Sequence, residues 1–160
     1  MHSGDIEIAI ARHLNPRQNL IVPNVFWGWG ISYEVDLVVV TQNKYAWEIE
    51  IKTTFSDLKA DKSKRHGHHC NRFKRLYFAV PKELKDRALE HIPERAGLFI
   101  VNQDLFGHST SVELVKSPQI NMNADKLTDK ELGKLYELAA MRLWTLKEVI
   151  YRLQERRKTL

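Results

Sequence analysis

A single cysteine, Cys70, serves the whole 160-residue chain. No internal disulfide can form, so stability must come from an apolar core, and a reducing cytoplasm is the expected compartment. No apolar run approaches the roughly 18 residues a membrane span needs, so no membrane partner is expected. The N-terminus, MHSGDIEIAIARH, lacks the basic stretch and long apolar segment of a secretory leader. Glycines number only seven and prolines five. They form no phosphate-cradling loop, no Gly-x-Gly-x-x-Gly after a strand and no Gly-x-Ser-x-Gly turn, so nucleotide-loop enzymes and serine hydrolases find no support. Repeats and low-complexity tracts are absent too. What remains is ordinary for one globular domain with a proper core: 43% hydrophobic, 28% charged.

The net charge of +5 merely permits a polyanionic partner. Its distribution says more. Between Asp57 and Arg75 stand Lys59, Lys62, Lys64, Arg65, Arg72, Lys74 and Arg75 against only Asp57 and Asp61. The segment is either a solvated surface or a phosphate-binding one. Phe26, Trp27 and Trp29 could stack on unpaired bases, although a tryptophan in the core fits equally well. His66, His68, His69 and Cys70 are zinc-ligand types, but RHGHHC matches no common zinc spacing. Cys70 and Phe73 are expected to face the core.

Hydrophobic periodicity organises the rest. Ile6, Ala9, Ile10 and Leu14 mark one face of an opening helix that stops before Asn15-Pro16. Residues 20–27, 33–40 and 45–52 read as three strands in a meander, with Pro23 pointing to an edge. Ser56 could cap a helix from Asp57, with Gly67 bending it. A strand at 75–80, a helix at 82–91 with Ala88, Leu89 and Ile92 inward, and strands at 97–101 and 109–115 follow. That order implies an α/β domain with a mixed central sheet flanked by helices. The expected boundaries are a domain at 1–116, a polar linker at 117–127, and a long amphipathic helix at 128–160. Thr128 and Glu131 form a capping box. Leu132, Tyr136, Ala139, Leu143, Leu146, Ile150 and Leu153 then make a seam, either packed on the domain or pairing two chains as a homodimer.

One strand breaks the pattern. In WEIEIKTT, residues 47–54, Ile49 and Ile51 alternate with Glu48, Glu50 and Lys52, placing two carboxylates and an ammonium about 7 Å apart along one face. Like charges in a row repel, and acidic residues are poor strand formers. The neighbouring strand carries Glu34 and Asp36 on one face, so Asp36 can lie near Glu50 and Lys52. Converging carboxylates beside a lysine suit Mg²⁺ or Mn²⁺, which favour oxygen ligands and phosphate. Glu-x-Lys alone occurs by chance about once per 270 residues; its context gives it weight. The alternative is the solvent face of an amphipathic hairpin.

YEVDLVVV and AWEIEIKTT resemble the core of the PD-(D/E)XK nuclease superfamily, and EIKTTFSDLKADKS, HCNRFKRLYFAVP and IPERAGLFIV resemble the MmcB-like DNA repair family. The resemblance covers roughly residues 34–115 and implies a restriction-endonuclease-like fold with metal-dependent endonuclease activity on DNA. It implies Asp36, Glu50 and the Ile51 carbonyl as metal ligands, Lys52 as the catalytic lysine, and Glu7 as the first-helix glutamate. Lys62 or Lys64 would support the site from the next helix, and Glu34 and Glu48 would flank the ligands. Lys59, Lys62, Lys64, Arg65 and Arg72 would bind nucleic acid. Val35 stands where the superfamily often has proline. An inactive relative that only binds nucleic acid is the competing expectation.

Overall fold

The computed structural model describes residues 1–26, 30–61, 70–104 and 109–158. Helix α1 (Ser3–His13) precedes strands β1 (Leu20–Val25), β2 (Val35–Val40) and β3 (Ala46–Ile51). Helix α2 (Phe55–Asp61) leads towards β4 (Phe73–Pro81), and a 3-10 turn (Lys82–Leu84) runs into helix α3 (Lys85–His91). Then come β5 (Gly97–Gln103), β6 (Thr110–Lys116) and the 30-residue helix α4 (Asp129–Lys158). The strands form one six-stranded sheet in chain order. β3, β4 and β5 run parallel, and every other neighbouring pair is antiparallel. This is the expected restriction-endonuclease-like architecture, with Pro23 on the edge strand.

Each face of the sheet has its own cover. On one face α1 packs Ile6, Ala9 and Ile10 against Leu37, Val39, Ile49, Ile51 and Phe99. The helix ends where Asn15 adopts a positive φ of 54°, and the Asn15 side chain then accepts the Arg17 amide. On the other face lie two clusters. Leu135 and Leu138 of α4 cover Val22, Val38, Val40 and Ala46. Leu58 of α2, Ala88 of α3 and Ile92 cover Leu76, Phe78, Val80 and Leu98. Pairing sets Val38 opposite Glu48 and Glu48 opposite Leu76, with Glu50 opposite Phe78. The charged row therefore runs along the boundary between the two apolar clusters.

Three local expectations are corrected. Helix α2 starts at Phe55, and Thr54 rather than Ser56 takes the capping role, its hydroxyl accepting the Asp57 amide at 3.2 Å. Leu89 is exposed, because α3 is a single short stretch whose inward face is filled by Ala88 alone. In α4 the buried residues are Leu135 and Leu138, flanked by half-buried Leu132 and Ala139. Tyr136, beside the buried Leu135, is exposed because it faces away from the sheet, and Leu143, Leu146, Ile150 and Leu153 are exposed because the helix outruns the sheet it packs on. The capping box forms: Thr128 Oγ1 accepts the Glu131 amide, and Glu131 Oε2 accepts the Thr128 amide at 2.8 Å. Among the described residues no helix is long and apolar enough to cross a membrane.

Residues 117–127 cross the N-terminal ends of β3 and β4 as a packed strap. The Asn121 amide donates to the Lys74 carbonyl at 3.0 Å, its side chain donates to the Phe73 carbonyl, and the Leu127 amide donates to the Lys44 carbonyl at 2.8 Å. Its own Ala124 and Leu127 are buried.

Candidate functional site

The charged row of β3 is not a solvent face. Glu48 is 0%, Glu50 1% and Lys52 4% exposed. Burying ionisable groups is costly unless they are paired and hydrogen-bonded, and the pairing is close. Lys52 Nζ meets Glu50 Oε2 at 2.8 Å and Asp61 Oδ1 at 3.1 Å. Asp61, on the last turn of α2, is itself 6% exposed. Burial works against the Lys52 charge, but the Glu50 carboxylate, then Asp61 and Asp36, outweigh it and push its pKa above the ordinary lysine range. The side chain is thus an ammonium at neutral pH, suited to stabilising negative charge and not to acting as a base.

Asp36 joins from β2. The antiparallel ladder runs from Val40 opposite Ala46 to Leu37 opposite Ile49, and the next step brings Asp36 beside the end of β3. Its Oδ2 accepts the Ile51 amide at 2.7 Å. That bond fixes the carboxylate one residue from Glu50 and on the same side of the sheet as Lys52. Deeper along the row, the Tyr33 hydroxyl donates to Glu48 Oε2 at 3.2 Å. Burial first, then the Glu48 charge, drives the Tyr33 phenol well above its usual range, so it remains a donor.

The other expected residues are distributed around this cluster. Glu7 lies on α1, whose buried side packs on Ile49 and Ile51, across the sheet from Glu50 and Lys52. Burial raises its carboxyl pKa. Glu34 is exposed. Lys59 projects from α2, with its ammonium 5.6 Å from the Phe55 ring centre. Arg72 is engaged by α4, its guanidinium meeting Glu131 Oε1 at 2.7 Å. Lys62, Lys64, Arg65 and the three histidines fall outside the described residues, as do Trp27 and Trp29. Cys70 packs against the α4 cluster, and Phe73 is fully buried within it.

Two residues escaped the sequence reading. Asp61 follows Leu58 by three positions, which puts a carboxylate on the buried face of α2, and that misplaced charge was the available signal. Tyr33 had no such signal.

Among the described residues no group of three or more His, Cys, Asp or Glu side chains is arranged to hold a metal ion. The donor set at the end of β3 is nevertheless of one chemical kind. Asp36 and Glu50 carboxylates and the Ile51 carbonyl are all hard oxygens, which fit Mg²⁺ or Mn²⁺ and not a thiophilic metal. Asp36, Glu50 and Asp61 all act on the Lys52 ammonium, Glu50 and Asp61 in direct contact with it.

The family described as DNA repair protein MmcB-like matches residues 9–149, most of the chain. The chain belongs to the MmcB-like family. A solved structure with the same fold is that of the SPO1766 protein of unknown function from Silicibacter pomeroyi, at TM-score 0.63 and 21% identity, covering 96% of this chain and 94% of that one. At that identity the likeness concerns the fold alone. No curated protein matches the chain. The MmcB-like match embraces β2, β3 and the Asp36–Glu50–Lys52 cluster as well as most of α4. The chain is therefore a nuclease-fold protein of a DNA repair family.

Proposed function

We propose that this MmcB-like protein is a Mg²⁺- or Mn²⁺-dependent DNA endonuclease acting in DNA repair or processing. The observation that carries the reading is the buried cluster at the end of β3, where Asp36 accepts the Ile51 amide and Lys52 pairs with Glu50. Asp36, Glu50 and the Ile51 carbonyl would hold the ion, which when bound supplies Lewis acidity to the scissile phosphate. Lys52 holds a positive charge beside the place where phosphodiester cleavage builds negative charge. Asp61 positions that ammonium from α2. Glu48, held by Tyr33, keeps the row in register below the ligands. Lys59, Lys62, Lys64 and Arg65 would grip the DNA backbone largely without reading sequence. The exposed apolar side of α4 after Met141 would pair two copies of the chain; sedimentation of a monomer at micromolar concentration would count against that part.

The test is incubation of purified protein with supercoiled plasmid and branched oligonucleotides in Mg²⁺ or Mn²⁺, beside Asp36→Ala and Lys52→Ala. Metal-dependent nicking lost in both variants supports the nuclease. A second reading, a DNA-binding module that does not cut, is favoured by the clamping of Lys52 between two carboxylates at 2.8 and 3.1 Å. It predicts DNA binding without cutting, unchanged in the same variants.

A further inference from the structure

At the other end of the sheet, ahead of β4 and β5, lies a cavity of about 340 Å³ walled by Cys70, Asn71, Arg95, Gln119, Ile120 and Asn121. Arg95 precedes β5 by two residues, and its carbonyl accepts the Gln119 amide at 2.9 Å. Its side chain is the anomaly. Nε and Nη2 are both buried and make no hydrogen bond among the described residues. A guanidinium is charged at any accessible pH, and leaving its buried donors without acceptors is costly.

The two nitrogens are not an arbitrary pair. Nε–H and the neighbouring Nη2–H point the same way along one edge of the planar guanidinium, the fork that takes two oxygens of a phosphoryl or carboxylate group side-on. No carboxylate lines this cavity among the described residues. Asn71 and Gln119 also line the cavity, and amide side chains of this kind can add donors to further oxygens. Ile120 also borders a second hollow of about 220 Å³ that includes Tyr45 and Lys74. There the ammonium groups of Lys74 and Lys126 lie 4.7 and 5.5 Å from the Tyr45 ring centre, adding positive charge on the approach. Several acceptor oxygens and more than one negative charge fit this environment better than a monovalent carboxylate does.

We infer that the Arg95 cavity is a phosphoryl-binding site, separate from the Asp36–Glu50–Lys52 cluster and independent of the nuclease reading. The group it takes is a phosphate, either small and free or carried at the end of a nucleic acid strand. Arg95 supplies the fork, Asn71 and Gln119 the flanking donors, and Lys74 and Lys126 the favourable field.

Thermal unfolding of the full chain in inorganic phosphate, against chloride at matched ionic strength and without divalent metal, tests the site. Phosphate is expected to raise the melting temperature of the wild type beyond chloride. Arg95→Lys, which keeps charge but loses the fork, and Arg95→Gln should each weaken phosphate binding by about tenfold or more. Asn71→Ala and Gln119→Ala should weaken it less, and they keep the test open should both Arg95 variants fail to fold. A second arm compares a 5′-phosphorylated oligonucleotide with its unphosphorylated twin by fluorescence anisotropy. A preference for the phosphorylated strand that disappears in Arg95→Lys assigns the site to nucleic acid ends. Equal binding of the two strands, with the phosphate effect still dependent on Arg95, assigns it to a small phosphate. Absence of any phosphate effect on the wild type overturns the inference, as does an effect of equal size in all the variants.

Discussion

The two ends of the sheet bury charge in opposite ways. Where β3 ends, Lys52 sits between Glu50 and Asp61 at 2.8 and 3.1 Å, and Asp36 takes a backbone amide at 2.7 Å. Where β5 begins, Arg95 presents two buried nitrogens that no described residue accepts from. The first end is a network whose members depend on one another. The second holds a guanidinium for which no described residue supplies the complement at Nε and Nη2. A buried, paired ammonium and a half-buried guanidinium with two enclosed, unpaired nitrogens therefore have different consequences when removed, and the contrast can be tested directly.

The largest expected effect is at the first end. Lys52→Ala strips the ammonium from two buried carboxylates and should cost about 3–5 kcal/mol in urea unfolding. Arg95→Met is the matched change at the second end. In phosphate-free buffer it leaves no partner stranded among the described residues, so it should be neutral or stabilising. A large loss in Arg95→Met would erase the contrast.

A change of intermediate size asks whether the second end is loosely packed as well as unpaired. It is not: a Cβ on Gly97 would stand 2.8 Å from Tyr77 Cδ1 and 2.9 Å from both the Lys116 carbonyl oxygen and Pro118 Cδ. Gly97→Ala should therefore destabilise by about 1–3 kcal/mol in the same assay, despite the cavity beside it.

A smaller loss than at Gly97 concerns Arg72, a guanidinium at this end that does have a partner. Glu131 receives it at 2.7 Å while also accepting from Thr128. Burial pushes the Glu131 carboxyl upward, but Thr128 and Arg72 outweigh it and hold its pKa below the usual value. A depressed carboxylate contributes stability above its unfolded pKa, and that contribution is lost as pH falls through the folded one. Glu131→Gln should thus cost less than about 1 kcal/mol at pH 7 and close to nothing once both forms are protonated. An equal loss at neutral and strongly acidic pH would mean the pair contributes through packing.

Much of this was legible in the sequence because it depends on local pattern. The alternation of WEIEIKTT placed Glu48, Glu50 and Lys52 on one face, and the short turn at Gln42–Lys44 brought Asp36 next to them. Burial of that face was not legible, since it depends on how α2 docks back onto the sheet and on α4 arriving from a distant part of the chain. Asp61 was missed for a related reason: until α2 is docked through Leu58, its carboxylate looks like one more charge in a basic segment. In α4 the four-and-three seam described the exposed length of the helix, whereas the sheet selects Leu135 and Leu138, set by where the strap at 117–127 delivers the chain. Arg95 gave no sign at all. A lone arginine before a strand looks like surface until the strap covers it.

Whether the first end of the sheet cuts DNA decides between a nuclease and a binding module. The decisive measurement is nicking of supercoiled plasmid by wild type, Asp36→Asn and Glu50→Gln in Mg²⁺ and in Mn²⁺, with each variant first shown to be folded and to bind DNA. Metal-dependent nicking by the wild type that falls at least about a hundredfold in both variants is the predicted result. Wild type that binds DNA but leaves plasmid and branched substrates intact in both metals would contradict it.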